Sequence, residues 1–192
     1  MLVPPNLPFF IGNDICRVAR IRQILQGKLG PRFIGRILRP EERRQEKTAR
    51  ILRCVIPHEK RTTRQDRDPV EFTRAVEFLA GRFAAKEAVI KAHPYKRLTF
   101  QRIAIMRMMS NNNINNNNDD NNESERERGG PLVAVIRDEC EAGSEAESYA
   151  SVSISHEDEY ATAVCVAVNP NPNPIKGWEG RGMRKGGEGM NE

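Results

Sequence analysis

The sequence predicts an α+β protein in which an antiparallel sheet packs against one long helix. Apolar residues recur at helical spacing over residues 71–92, and Pro94 stops that pattern. Most of the apolar segments that are typical of strands come after it, at residues 98–108, 132–136 and 150–168. Because helices and strands do not alternate along the chain, a parallel sheet is not expected. The 192 residues, 38% of them hydrophobic, suffice for one domain with a core but not for two ordinary ones.

The chain before the long helix predicts one strand and three short helices. Residues 9–15, FFIGNDI, form an apolar run preceded by prolines, which is typical of a strand. A basic helix follows and ends at Gly27, and residues 32–38 predict a second helix. Pro40 opens a third helix, since proline is favoured in a first turn and two glutamates follow it near the positive end. Residues 57–69 are charged and lack apolar periodicity, which predicts a loop.

The second half contains segments that cannot build a core. Residues 111–122 hold nine asparagines in 12 positions, and we expect residues 109–130 to form a disordered insertion between two strands of one sheet. A second, acidic loop is predicted at residues 138–148. The domain should therefore span residues 1–168, and residues 169–192, rich in Pro, Gly and Asn, predict a flexible tail.

Composition and spacing exclude several classes of protein. No apolar run approaches the roughly 20 residues that a membrane helix needs, so we expect no membrane partner. The four cysteines are far apart and have no histidine at a zinc-ligand spacing, which argues against a zinc site and a disulfide framework. The first residues also lack the basic or arginine-rich pattern of a targeting peptide.

Charge is distributed unevenly along the chain. Residues 1–108 contain 24 Lys and Arg against 10 Asp and Glu, whereas residues 109–192 contain 7 against 16. The basic first half predicts an acidic partner, which could be nucleic acid, an acidic protein or a polyphosphate ligand. No helix-turn-helix, zinc-finger or aromatic RNA-binding signature accompanies the arginines, so we do not expect nucleic acid to be the partner.

One carboxylate lies on the apolar stripe of the long helix. Glu87 follows Phe83 by four residues and precedes Ile90 by three, so these three side chains share a face. Taking an ionised carboxylate out of water is costly unless it gains a partner. Two partners are open: Lys91, as an ordinary ion pair four residues on, or a metal ion shared with Asp14.

Asp14 and His156 also have two interpretations each. Asp14, at the end of the first strand, either caps the following helix or binds a hard cation such as Mg2+ together with Glu87. His156 is either an ordinary polar residue of a Ser-Ile-Ser-His turn or part of a phosphate site. The cations of the long helix near Glu87 suit a phosphate site, since Lys and Arg bind phosphate; they are Arg82, Lys86 and Lys91.

Five motifs, in this order, resemble one family. They are GNDI followed by Arg20-Ile21, FxxRIL at residues 33–38, EFLAGRFAAKEAVIKA at 77–92, LTFQRIAI at 98–105 and VSISHEDEYATAVCV at 152–166. Together they look like the holo-acyl-carrier-protein synthases, the small single-domain type of 4'-phosphopantetheinyl transferase. The resemblance covers about residues 9–168.

The resemblance implies a compact α+β fold, a homotrimer with shared active sites, and a reaction. In that reaction the phosphopantetheine arm of coenzyme A is moved onto a serine of an apo acyl carrier protein, which releases adenosine 3',5'-bisphosphate. Acyl carrier proteins are acidic, so the basic first half would attract them.

The resemblance also implies roles for individual residues. Asp14 and Glu87 would bind Mg2+ together with the pyrophosphate of coenzyme A, and with Lys91 they are the candidate catalytic residues. Either Glu87 or a metal-bound water would accept the serine proton. The phosphates and the nucleotide would be lined by Arg82, Lys86, Lys91 and His156. The carrier protein would contact Arg20, Arg32 and Phe33.

The chain departs from the family pattern after Lys91. Many relatives have a Gly-Thr-Gly turn there, whereas this chain reads AHPYKRLTF, so His93, Lys96 or Arg97 would supply the nucleotide contacts. The altered turn keeps an alternative open, a non-catalytic module that binds the carrier protein through the same fold. The asparagine tract suggests a eukaryotic source, where such an enzyme would serve the mitochondrial carrier protein; the cytoplasm is the alternative location.

Overall fold

The computed structural model describes residues 7–56, 68–108, 130–139 and 145–170. The strands and helices in these ranges follow one another as β1 (Phe9–Arg17), α1 (Val18–Gln26), α2 (Gly30–Ile37), α3 (Pro40–Arg44), α4 (Glu46–Leu52), α5 (Pro69–Lys91), a 3-10 helix (Phe100–Arg102), β2 (Ile103–Arg107), β3 (Leu132–Glu139), β4 (Glu145–Glu157) and β5 (Tyr160–Val168). Among the described residues, no helix combines the length and the apolar character that crossing a membrane requires.

The strands form one antiparallel sheet in the order β1-β5-β4-β3-β2. Helix α5 packs across β1, β5, β4 and β2, which confirms the predicted α+β class with one long helix against an antiparallel sheet. Many of the buried residues in α5 and β5 are alanines, among them Ala80, Ala84, Ala88, Ala161, Ala163 and Ala167. Because alanine side chains are short, the helix can lie close to the sheet.

Most predicted elements of the first half are confirmed. The first strand continues from the predicted end to Arg17, and the long helix begins two residues earlier than predicted, at Pro69. Asp68 caps this helix, because its carboxylate accepts a hydrogen bond from Val70 N at 2.8 Å. The three short helices are present as α1, α2 and α3. Helix α4 was not predicted.

The predicted strand at residues 98–108 is wrong at its start. The chain forms a 3-10 turn at Phe100–Arg102 and enters the sheet only at Ile103. The ring of Phe100 packs against Phe83, with 5.6 Å between the ring centroids. The side chain of Phe100 therefore points inward, as an apolar side chain of a strand would. Alternation of apolar residues in the sequence cannot distinguish these two cases.

Two polar segments of the second half belong to strands and not to turns. The predicted acidic loop at residues 138–148 is wrong at both ends, since β3 continues to Glu139 and β4 begins at Glu145. The predicted Ser-Ile-Ser-His turn is also wrong, because His156 lies in β4 opposite Ala161. The turn comes later, at Asp158, whose φ is 35°. Strands pair through backbone hydrogen bonds, which polar side chains do not prevent.

Three sequence predictions lie largely outside the described residues and stay predictions. They are the loop up to residue 67, the insertion from residue 109 to 129 and the tail from residue 171. The two chain ends that flank the insertion lie side by side, because Met108 N donates to Pro131 O at 3.0 Å.

The backbones of β1 and α5 meet at Gly12. A Cβ atom on Gly12 would lie 1.9 Å from Ala88 O and 2.6 Å from Ala92 N, so a larger residue would push the helix away from the strand. Asp14 follows two residues later and therefore faces the same side of β1. The close contact thus places the Asp14 carboxylate beside the last turn of α5.

We expect Gly12→Ala to lower the free energy of unfolding by about 3 kcal/mol or more, because the clash is with backbone atoms that cannot rotate away. Urea unfolding followed by circular dichroism measures this. Gly35→Ala in α2 is the matched control: its Cβ would meet nothing within 4 Å, and alanine should stabilise the helix by up to about 1 kcal/mol. Equal unfolding midpoints for the two variants would contradict the close contact.

Candidate functional site

A partly exposed ion pair joins β1 to α5. Lys91 Nζ lies 2.7 Å from Asp14 Oδ1 and donates to Asn13 O at 3.0 Å. The side chain of Lys91 is 52% exposed and that of Asp14 only 15%, so the lysine reaches the carboxylate from the solvent side. Asp14 does not cap the next helix, since the N-cap of α1 is Arg17 and has no side-chain hydrogen bond.

Glu87 lies one helical turn before Lys91 and is half-buried. Lys91 turns to Asp14, so the ordinary ion pair between Glu87 and Lys91 is not formed. Within the part of the chain that the structure describes, Glu87 has no hydrogen bond or ion pair. Both carboxylates therefore border Lys91 at the same end of α5, and that of Glu87 is open to a ligand.

A basic and aromatic surface adjoins Glu87. The ring of Phe33 stacks on that of Phe83, with 6.4 Å between centroids, and Phe83 is one turn before Glu87. The Arg20 guanidinium lies 5.5 Å from the centroid of the Phe83 ring, within the range of a cation–π contact. Arg32 is exposed on α2 next to Phe33. The fold thus brings Arg20 and Phe33 together at Phe83, one helical turn before Glu87.

Lys86 does not face this site, which corrects its predicted role in binding phosphate. Its side chain is fully buried, and Nζ contacts Glu42 Oε2 at 2.5 Å, Ile37 O at 2.6 Å and Phe100 O at 3.2 Å. Burial lowers the pKa of the Lys86 ammonium, and the Glu42 carboxylate partly offsets that shift. The neighbouring residues of a helix point in directions about 100° apart, which is why Glu87 can face the site while Lys86 faces the core.

Arg82 lies on another side of α5 from Glu87. Its guanidinium stacks over the ring of Phe78, 4.9 Å from the centroid. Burial lowers the pKa of Arg82, and Glu42 partly offsets the shift. Among the described residues, the buried Nη1 atom of Arg82 has no hydrogen-bond partner.

His156 is exposed near the end of β4, two strands away from β1. Strands are about 4.8 Å apart, so the imidazole lies roughly 10 Å across the sheet from Asp14. The structure therefore does not bring His156 together with Asp14, Glu87 and Lys91 within one chain.

The turn after α5 is filled by its own side chains. His93 is buried and its Nδ1 lies 2.7 Å from Val89 O, so it is not placed to contact a nucleotide. Tyr95 packs between Phe10 and His93 and its hydroxyl donates to Val168 O at 3.4 Å. Lys96 is half-buried, and its Nζ donates to Ser148 Oγ at 3.2 Å. Arg97, the third residue predicted to substitute for the glycine turn, is exposed.

Sequence reasoning missed the importance of Glu42. The pattern Pro-Glu-Glu identifies it as an acid in the first turn of a helix, which is an ordinary surface position. In the fold it is 1% exposed. No signal in the sequence distinguishes it from its exposed or half-buried neighbours.

We expect Lys86→Met to lower the free energy of unfolding by about 3–5 kcal/mol, because it leaves the Glu42 carboxylate buried without its cation. Lys91→Met, the matched change in a solvent-exposed pair, should cost about 0–1 kcal/mol. Urea denaturation of the two variants measures the difference. A smaller loss for Lys86→Met than for Lys91→Met would contradict the burial of the pair.

A family model and individual relatives both match this chain and identify the same family. A sequence model of the 4'-phosphopantetheinyl transferase superfamily matches residues 10–165. A holo-[acyl-carrier-protein] synthase from Listeria welshimeri is 36% identical over 101 residues, which are 51% of this chain and 66% of that relative. One from Leptospira biflexa is 40% identical over 82 residues, 43% of this chain and 46% of the relative. The matched part therefore spans less than two thirds of these relatives.

A solved structure has the same fold. The acyl carrier protein synthase of Plasmodium yoelii with ADP bound superimposes with a TM-score of 0.50 over 84% of this chain and 96% of that one, at 21% identity. At that identity the likeness concerns the fold alone. The family match covers most of the chain, including Asp14, Glu87 and His156, and the chain belongs to the 4'-phosphopantetheinyl transferase superfamily.

Proposed function

We propose that this protein transfers the 4'-phosphopantetheine group of coenzyme A to a serine of an apo acyl carrier protein. The products are the holo carrier protein and adenosine 3',5'-bisphosphate. The observation that carries this proposal is the Glu87 carboxylate, which has no partner among the described residues and lies beside the Asp14–Lys91 pair, next to a basic surface. The holo-[acyl-carrier-protein] synthases among its relatives support the same reaction.

The donor set at this site fits Mg2+. Among the described residues, no group of three or more His, Cys, Asp or Glu side chains is arranged to hold a metal. Mg2+ does not need such a cage, since it is usually bound by one or two carboxylates together with phosphate oxygens and water. Asp14 and Glu87 would supply those carboxylates. A bound Mg2+ would neutralise charge on the pyrophosphate during transfer.

The chain's own residues would bind and orient the two substrates. The serine oxygen forms a bond to the phosphorus that carries the pantetheine arm, and the bond from that phosphorus to the bridging oxygen breaks, so the bisphosphate leaves. Lys91, which is exposed beside Glu87, would hold phosphate oxygens by charge. Glu87 is the candidate acceptor of the serine proton because Asp14 is already engaged by Lys91.

The carrier protein would dock on the first helices. Arg20 and Arg32 are exposed, and Phe33 lies beside them against Phe83. An acidic carrier would be drawn to these arginines, and its serine would arrive next to Glu87.

Transfer is measured as the increase in mass of an apo carrier protein incubated with coenzyme A, Mg2+ and this protein. Glu87→Gln should reduce the rate by at least about 100-fold, because it removes both a metal ligand and the candidate base. Glu77→Gln, a half-buried carboxylate on the same helix, is the matched control and should keep the rate. Absence of any mass increase with mitochondrial-type and fatty-acid-synthase-type carriers alike would refute the proposal.

A second candidate is a non-catalytic module that binds a carrier protein. The turn after Lys91 favours it, because buried His93 and packed Tyr95 occupy the place of a glycine turn. This candidate predicts carrier binding without affinity for coenzyme A. Calorimetric titration with coenzyme A, with and without Mg2+, separates the two functions, since the enzyme must bind it.

We also propose that the protein is a homotrimer whose subunits share active sites. The outer face of the sheet, away from α5, carries exposed apolar side chains on β1 and β5: Phe9, Ile11, Ile15, Val164, Val166 and Val168. A patch of this kind is typical of an interface. His156, which lies apart from Asp14 within one chain, would then serve a neighbouring subunit's site.

We expect sedimentation equilibrium to give three times the mass of the chain, and Ile11→Lys with Val166→Glu to give a monomer. The two charges would leave the fold intact because both side chains are exposed, at 61% and 41%. Lys28→Glu is a control on an exposed loop and should not change the mass. A monomer before substitution would contradict the trimer.

The mitochondrial location stays a prediction, which rests on the asparagine tract. Cell fractionation decides between the mitochondrion and the cytoplasm.

A further inference from the structure

We propose that Lys86, together with Glu42 and Gln101, is a positioning residue for the carrier protein. Lys86 and Gln101 cap the C-terminal end of α2, and Glu42 holds Lys86 in place, so this helix is fixed against the part of α5 that carries Glu87. The inference rests on the proposed function, because α2 carries the arginine and phenylalanine assigned to carrier binding.

The end of α2 is capped by side chains from elsewhere in the chain. The last carbonyls of a helix have no partner within it. Here Gln101 Nε2 donates to Gly35 O at 2.9 Å and to Arg36 O at 2.8 Å, and Lys86 Nζ donates to Ile37 O at 2.6 Å. The position of α2 is therefore set by α5 and by the 3-10 helix.

Glu42 completes the arrangement from the other side. Its Oε2 binds Lys86 and accepts from Arg39 N at 2.9 Å, and its Oε1 accepts from Ile105 N at 3.1 Å. Arg39 N is at the start of α3, and Ile105 N lies on an edge strand of the sheet. One carboxylate thus holds α3 and β2 to the same lysine.

Two apolar side chains in place of Lys86 and Glu42 could not hold α2, α3 and β2 together in this way. Apolar side chains of similar volume often replace a buried ion pair without loss of stability. The Lys86–Glu42 pair, however, bonds four backbone groups, of which Ile37 O and Ile105 N make buried hydrogen bonds and would be costly to leave without partners. Its charge is used to hold irregular backbone in one arrangement.

The contacts of Lys86 connect directly to α2, which carries part of the proposed docking surface. Ile37, bonded to Lys86, ends the helix on which Arg32 is exposed and Phe33 stacks on Phe83. Lys86 is adjacent in sequence to Glu87. A shift of α2 would therefore move the carrier-binding side chains relative to Glu87 and leave Asp14, Glu87 and Lys91 in place.

Two variants test this in the full-length protein. Lys86→Met with Glu42→Gln removes both charges at similar volume and keeps an amide to bond the backbone. Gln101→Ala removes the exposed hydrogen bonds to the end of α2 and leaves the buried Lys86–Glu42 pair intact. It therefore tests the inference even if the double variant does not fold. Ile136→Val, a buried change in β3, is the control for general destabilisation.

The measurements are the steady-state constants for each substrate and amide hydrogen exchange over residues 30–37. We expect both variants to raise KM for the apo carrier about three- to tenfold, as for one lost hydrogen bond, and to speed exchange in α2. The kcat value and KM for coenzyme A should stay within about twofold. Ile136→Val should leave both KM values unchanged.

An unchanged KM for the carrier in both variants would overturn the inference. A fall in kcat with both KM values unchanged would also overturn it, since that pattern indicates only a smaller folded fraction. Failure of the unsubstituted protein to modify any carrier would instead refute the proposed function, and the inference with it.

Discussion

The contact between the backbones of Gly12 and the last turn of α5 is the constraint on which the candidate site depends. It brings the strand close enough to the helix for Lys91 to reach Asp14, and in the ranges that the structure describes Glu87 is left without a cation. Had the strand been held further away by a side chain at position 12, Lys91 would be free to pair with Glu87 one turn before it. The open carboxylate is thus a consequence of close packing.

Three cations of one helix have three different environments. Lys91 is at the solvent edge and pairs with Asp14, Lys86 is enclosed and pairs with Glu42, and Arg82 stacks on Phe78 with one nitrogen unpartnered among the described residues. Their differences follow from the helical rotation of about 100° per residue, which directs each side chain to a different neighbour. Lys86 therefore has a structural role, while Lys91 at the solvent edge remains accessible to an anionic ligand.

The two faces of the sheet carry different side chains. The inner face is lined by alanines that let α5 lie close, and the outer face of β1 and β5 carries larger apolar residues that are exposed in a single chain. Alternation along β5 produces both faces at once, since successive side chains point in opposite directions. The same strand that supports the site thus presents the surface proposed to join subunits.

The sequence by itself determined the fold class and most helices and strands, because periodicity and short motifs are local properties. It could not determine which partner each charged residue takes. Lys86 and Lys91 both lie next to or one turn from Glu87 in the sequence, yet their partners are 44 and 77 residues away. It also could not show that polar segments near residue 153 pair as strand, or that Glu42 is buried. Those outcomes depend on contacts between distant segments, which only the tertiary structure decides.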